Sequence, residues 1–218
     1  MMVGKKVPKF LVFVGQSFVG KTSLVGRLLL RFVFLRLVLS LTTRDARSSD
    51  LFGGYEKVSP NKLKRMNKNG LLAWLVDRKE GHGNMYGTTV ESILSALSFE
   101  GISVMILNLK KLRKLISLVG REAVLPVFVF VNDIVVLRKR GFERGDLPKV
   151  VERRTADCKQ WLRNARRGKI EYVFVDNSGD IDTALNKIIR ALPTWFLEKE
   201  TTFSETAEMT WIDDGGRP

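Results

Sequence analysis

The octet Gly15-Gln16-Ser17-Phe18-Val19-Gly20-Lys21-Thr22 constrains this chain more than any other feature. It spells G-x-x-x-x-G-K-T, and its neighbours give it meaning. An apolar run, Phe10-Leu11-Val12-Phe13-Val14, leads in, and a stretch of helical period, Ser23 to Phe32, leads out. Strand, glycine loop and helix in that order are the context of a phosphate-binding P-loop. Glycines at both ends let the backbone curl so that its N–H groups point inward. Those donors and the positive end of the helix meet phosphate oxygens. In such a loop Lys21 reaches the β- and γ-phosphates of a nucleoside triphosphate, and the Thr22 hydroxyl holds Mg²⁺.

At 218 residues with 44% hydrophobic side chains, the chain builds one domain with a sizeable core plus an extension. Its single cysteine, Cys158, excludes an internal disulfide and a cysteine-based zinc site, and points to a reducing compartment. With His82 the only histidine, Ser-His-Asp and Cys-His chemistry have almost nothing to work with. The apolar stretch Leu24 to Leu41 contains Arg27, Arg31 and Arg36. Each would cost about 2.5–3.5 kcal/mol at a bilayer centre, so a helix followed by a buried strand is expected instead of a membrane span. No apolar signal segment precedes the first core strand, and a cytoplasmic protein is expected. The net charge is +14. Six acids against two bases give residues 194–218 a charge of −4 and leave +18 on residues 1–193. Polyanions are therefore plausible partners: nucleotides, nucleic acid or a phosphoprotein.

Periodicity predicts strands over 9–14, up to about Thr42, and over 71–76, 104–107, 124–131 and 172–175. Helices are expected over 21–32, 60–69, 89–97, 110–119, 147–166 and 183–192, with Thr88 or Thr89 capping the third. The basic stretch Arg138 to Gly145 is glycine-broken and expected to be mobile. Alternating strands and helices predict an α/β fold with a mainly parallel sheet. The Thr/Glu-rich tail after Pro193 has little to bury and is expected to be flexible.

Two further segments narrow the reading. In Ser40-Leu41-Thr42-Thr43-Arg44-Asp45-Ala46-Arg47, two arginines three apart can grip one phosphate with forked, charge-assisted bonds. Gly83-Asn84-Met85-Tyr86-Gly87-Thr88 places a phenol and a hydroxyl between tight turns. Together they offer a second anion site beside the P-loop. With these motifs in this order, the chain resembles the guanylate kinase family over about residues 9–193. That family carries a P-loop, an S-x-T-T-R-x-x-R segment, a following Tyr, a G-N-Y-Y-G-[ST] segment, a basic lid and a final V-N-D-D-L-D-like run. Here they match 15–23, 40–47, Tyr55, 83–88, 138–145 and 175–182.

The resemblance implies a P-loop nucleoside monophosphate kinase fold over residues 1–193. Its core would comprise 1–39 and 101–193, its monophosphate-binding subdomain about 40–100 and its lid about 138–150, ahead of the acidic tail 194–218. It implies transfer of the ATP γ-phosphoryl group to GMP with Mg²⁺. On the ATP side it assigns Gly15, Ser17, Gly20, Lys21, Thr22 and Ser23, with Asn177 near the adenine. On the acceptor side it assigns Ser40, Arg44, Arg47, Tyr55, Tyr86, Thr88 and Asn108. Lys21, Arg140, Arg144 and Arg154 would neutralise charge on the transferring group.

The chain departs from the family where the base is read. The family's N-G-x-F-x-E-W becomes Asn69-Gly70-Leu71-Leu72-Ala73-Trp74, with Ala73 in place of the guanine-binding Glu. The L-D-I-D strand end becomes Leu107-Asn108-Leu109-Lys110, and Phe18 replaces a P-loop Gly. The loop 75–82 is longer than usual, and its Glu80 or Asp77 is a candidate replacement for the missing acid. Kept phosphate grips with altered base readers also fit a second reading. Guanylate kinase-like domains of membrane-associated scaffolds lack useful activity, and some dock phosphorylated peptides. A nucleic-acid role driven by the basic body is the third.

Overall fold

The computed structural model describes residues 7–46, 54–80, 83–156 and 158–194. Arg47, His82 and the tail from residue 195 lie outside the described residues.

Strand β1 (Phe10–Val14) is an unbroken apolar run because both of its faces are covered, and all five residues are 0% exposed. It lies at the centre of a five-stranded sheet with β2 (Leu35–Leu37), β7 (Ile102–Ile106), β8 (Val124–Phe130) and β9 (Val173–Asp176), in the order β2-β7-β1-β8-β9. Every pairing is parallel; Leu11, for example, lies between Val104 and Leu125. The strand period of two splits the core. Leu11 and Phe13 pack with Leu24, Val25 and Leu28 of α1 (Lys21–Arg31) and Ala184, Leu185 and Ile188 of α8 (Ile181–Ile189). Phe10, Val12 and Val14 face the other way, onto Ile93 and Ala96 of α3 (Val90–Ser98), Leu112 and Leu115 of α4 (Leu109–Val119), and Ala165 of α7 (Cys158–Arg167). This is the mainly parallel α/β core with helices on both faces that the alternating pattern predicts.

A second sheet has the order β4-β3-β6-β5, from β3 (Ser40–Thr42), β4 (Tyr55–Lys57), β5 (Leu72–Val76) and β6 (Tyr86–Thr89). Its small core is Leu41, Val58, Leu63, Leu72 and Met85, closed by α2 (Pro60–Lys68), whose start is capped by the Ser59 side chain. Gly87 is required there, since a Cβ would lie 2.8 Å from Leu63 Cδ2.

Four expectations are corrected. The strand expected to end near Thr42 is two strands in two sheets. Val38 N–H still bonds to Val104 O of the first sheet, whereas Ser40 N–H bonds to Gly54 O of the second. Tyr86 to Thr89 is a strand, not a turn, because β6 pairs antiparallel with both β3 and β5. Arg138 to Glu143 is helical, the end of α5 (Ile134–Glu143). Gly141 does not break it, because its missing Cβ admits α6 (Pro148–Thr155): that atom would sit 2.9 Å from Val151 Cγ2. The long helix of 147–166 is two, α6 and α7, the first packing into the α1-side core and the second passing from that core to the other. Val151 and Cys158 pack into the first, and Trp161, Leu162 and Ala165 into the second. Thr89 is the cap of α3, accepting from Ser92 N–H at 2.9 Å. Among the described residues no helix is long and apolar enough to cross a membrane, and the 24–41 run divides among α1, β2 and β3.

Candidate active site

The P-loop leaves the carboxyl end of β1 and enters α1. Gly15 (φ +139) passes so close to β8 that a Cβ would lie 2.1 Å from Val129 O. Gly20 (φ +85) is the N-cap of α1 and has no room either, since a Cβ would meet Asn177 Nδ2 at 2.4 Å. No side chain caps α1 and no acid lies in its first turn. Its first intrahelical bond runs from Leu24 N–H to Gly20 O, so the N–H groups ahead of it, with the positive end of the helix dipole, are open to an anion. Thr22 and Ser23 lie exposed in this first turn and Ser17 half-buried in the loop, all lining the cleft.

Lys21 folds back over the loop. Its Nζ donates to Gly15 O at 2.8 Å and to Gln16 O. Burial of the ammonium, reinforced by the nearby Arg144 guanidinium, lowers its pKa from 10.5 to about 7. The negative charge of a phosphate beside it would favour the ammonium and oppose this lowering.

Opposite the loop stands the α5–α6 hairpin. Arg140 donates from Nη2 to Asn177 O at 2.9 Å, while its Nη1 is buried with no hydrogen-bond partner. That orphaned Nη1 points at Gly20, 4.0 Å from where a Cβ would be. A buried cationic donor without an acceptor, aimed at the helix start, fits a phosphate oxygen. Arg144 and Arg154 are joined by Asp146, at 2.6 Å and 3.3 Å. Asn177 is tied to the P-loop by Nδ2 donating to Val19 O at 2.8 Å.

The other end of the cleft is built on the second sheet. Ser40 Oγ and Thr88 Oγ1 are hydrogen-bonded at 3.0 Å. The Tyr55 and Tyr86 rings meet edge-on at 5.9 Å. Arg44 is buried behind Tyr55, its guanidinium carbon 5.5 Å from that ring and its Nη1 donating to Asp45 O; it does not line the cleft. Asn108 caps α4 by accepting from Lys111 N–H at 2.8 Å, which leaves its Nδ2 to donate to Glu80 Oε1, also at 2.8 Å. The nearly buried Lys111 ammonium lies 3.6 Å from Glu80 Oε2 and bonds Leu75 O. Asp77 accepts from Glu80 N–H and so shapes the turn, while Glu80 itself reaches the cleft. Ala73 packs into the second core and is not on the wall; Lys110 is.

These residues share one cleft of about 1210 Å³. That exceeds the roughly 300–1,000 Å³ of a typical small-ligand pocket, so two ligands fit side by side. Among the described residues, nine lysines and arginines line it against two carboxylates, Glu80 and Glu143, which selects for polyanions. The structure brings together Gly15, Ser17, Gly20, Lys21, Thr22, Ser23, Ser40, Tyr55, Tyr86, Thr88, Asn108, Arg140, Arg144, Arg154 and Asn177. Arg47 lies outside the described residues. Sequence reasoning missed Lys111, Asp146, Trp161 and Asn164. The first two carry a signal only through charged partners distant in the chain or across a turn, and Trp161 and Asn164 look like ordinary helix positions. Among the described residues no three metal-ligating side chains cluster. Mg²⁺ keeps several waters and takes phosphate oxygens, so it would need few protein ligands here, and the exposed Thr22 hydroxyl at the start of α1 is the side chain placed to serve as one.

A family model described as guanylate kinase matches residues 7–194. The chain is 32% identical over 174 residues to a guanylate kinase of Caulobacter vibrioides, covering 78% of each. It is 29% identical over 189 residues to one of Desulfotalea psychrophila, covering 84% of this chain and 89% of the relative. A crystal structure of guanylate kinase from Anaplasma phagocytophilum superposes with a TM-score of 0.62 at 16% identity, covering 93% of this chain and 91% of that one, a likeness of fold. A P-loop opposed by a basic helical hairpin, a hydroxyl-lined second sheet and a family match along nearly the whole folded chain agree: this chain belongs to the guanylate kinase family.

Proposed function

We propose that the chain transfers the γ-phosphoryl group of ATP, with Mg²⁺, to a nucleoside monophosphate, and that the acceptor is GMP. The observation that carries this reading is the pairing of two anion sites in one cleft. One is the open start of α1 with Lys21 and the orphaned Arg140 Nη1. The other is the group Ser40, Tyr55, Tyr86 and Thr88, backed by Arg44. Residues 40–100 then serve as the monophosphate-binding unit, 138–150 as the lid and the rest of 1–193 as the core.

An acceptor phosphate oxygen attacks the γ-phosphorus in line, and the bond to the β-phosphate oxygen breaks. The protein supplies alignment and charge. Main-chain N–H groups of the loop and Lys21 hold the β- and γ-oxygens, while Arg140, Arg144 and Arg154 face the equatorial oxygens from the hairpin. The Thr22 hydroxyl would hold Mg²⁺, which when bound would supply positive charge to the phosphates.

The base is read by Glu80. Ala73 accepts no hydrogen bond, but Glu80 offers a carboxylate on the acceptor side, held by the Asn108 amide and by the Lys111 ammonium 3.6 Å away. Guanine presents an N–H and an amine side by side, the donor pair that a carboxylate accepts; adenine does not. In an ADP-release assay with ATP-Mg²⁺ we expect turnover with GMP and dGMP to exceed that with AMP, CMP and UMP. Glu80→Ala should lower kcat/KM for GMP by about 10²-fold, as loss of a site's partner for substrate donors does, while leaving AMP within twofold. An unchanged GMP to AMP ratio in that variant removes Glu80 from base reading. No turnover with any acceptor removes the kinase reading and leaves a nucleotide- or phosphoprotein-binding module.

A further inference from the structure

Phe18 stands where the P-loop backbone turns left-handed, at φ +67, and is the one non-glycine residue with positive φ among those described. A bulky side chain holds that conformation only when its surroundings enforce it. Here they do. The ring is 8% exposed, in the same core cluster as Leu137 of α5 and Val151 of α6. Its tip touches α5 at the gap left by Gly141, where a Cβ would lie 3.2 Å from Phe18 Cζ. The guanidinium carbons of Arg144 and Arg154 lie 4.6 Å and 6.0 Å from the ring centroid, within reach of cation–π attraction. Asp146 then joins the same two guanidiniums.

Glycine would take this φ freely, so the loop's own shape does not call for an aromatic. What the ring adds includes the hairpin: a hydrophobic seat for α5 and α6 and a π face under two arginines. We propose that Phe18 is a positioning residue that clasps the α5–α6 hairpin onto the P-loop before nucleotide arrives, and so holds Arg144 and Arg154 towards the phosphates. Hairpin closure is then built into the free protein instead of being driven by the substrate alone.

The full chain carrying Phe18→Gly or Phe18→Leu tests this. Phe18→Gly removes the ring while keeping the turn unstrained. Phe18→Leu keeps apolar bulk without a π face. Amide hydrogen exchange across residues 134–155 is measured without nucleotide and with a bisubstrate dinucleotide analogue bound. In Phe18→Gly, exchange in α5 and α6 should rise at least tenfold without ligand and return close to the parental rate with it. Phe18→Leu should lie between the two. In the kinetic arm, which alone rests on the phosphotransfer reading, kcat should fall at least tenfold in Phe18→Gly with the acceptor KM within threefold. Unchanged exchange in α5 and α6 in both variants overturns the clasp whatever the kinetics. So does exchange raised equally in β1 and β8, which would make Phe18 an ordinary core residue. A parent without turnover would sink the kinase reading and leave the exchange arm to decide on Phe18.

Discussion

Replacing Lys21 by methionine is expected to lower kcat by about 10³-fold or more, the range seen when a charge facing a transferring phosphoryl group is removed. Methionine keeps the side chain's length and apolar stem, so the loop retains its shape. What disappears is the ammonium. In the free protein it bonds the carbonyls of Gly15 and Gln16, at a pKa pushed down to about 7 by burial and by Arg144. Bound phosphates supply the negative charge that this position lacks, and so the cation becomes more favourable when substrate is present. The nucleotide KM should rise less than tenfold, because the main-chain N–H groups remain.

The same substitution should change stability with the opposite sign. Between pH 7 and 10.5 the unfolded chain carries a proton on Lys21 that the folded chain does not. Stability of the parent therefore rises with pH across that window, and the cost of burying the charge is full below it. Lys21→Met carries no such cost. The difference in Tm, variant minus parent, should be largest near pH 6 and shrink towards pH 10, read by thermal unfolding in both proteins. A difference independent of pH would show that the ammonium is not desolvated.

Arg140→Met is expected to cost about 10³-fold in kcat, with the acceptor KM within threefold. The fork of the guanidinium divides its labour. Nη2 fastens to Asn177 O, and Nη1 stays buried without an acceptor beside Gly20. A buried donor without a partner costs the folded protein about 1–3 kcal/mol, a cost that an incoming anion would remove. Lysine cannot do both tasks from one compact ammonium, and Arg140→Lys should recover less than tenfold of the loss. Steady-state kinetics with each substrate varied checks the split, and thermal unfolding separates it from loss of fold. A drop of less than tenfold in Arg140→Met would place Arg140 in the scaffold and leave the charge stabilisation to Arg144 and Arg154.

Much of the fold was legible because its signals are local. The five apolar residues of β1 run unbroken for the reason that they are buried on both sides. Ser59-Pro60 opens α2, and Thr89 caps α3. The P-loop was legible for the same reason, since its glycines answer to positive φ values in a short turn, although the close approaches that also demand them, to Val129 and Asn177, come from distant segments. Glu80 was a candidate on loop length and charge alone. Its bond to Asn108 spans 28 positions and its hold by Lys111 spans 31, so no local pattern announces them. Gly141 reads as a helix breaker in sequence and is the contact point of two helices in space.

By itself the sequence determined the strand–glycine loop–helix, the period of each buried segment and the excess of positive charge, because short-range sterics and side-chain spacing dictate those. Only the tertiary structure decided that one apolar stretch would divide between two sheets at Val38, that Arg140 would be left with an empty donor, and that Phe18 would reach the hairpin. Those outcomes depend on which surfaces meet when the chain packs, and contacts between distant segments are selected by the burial and satisfaction of the whole, not by the neighbours of any one residue.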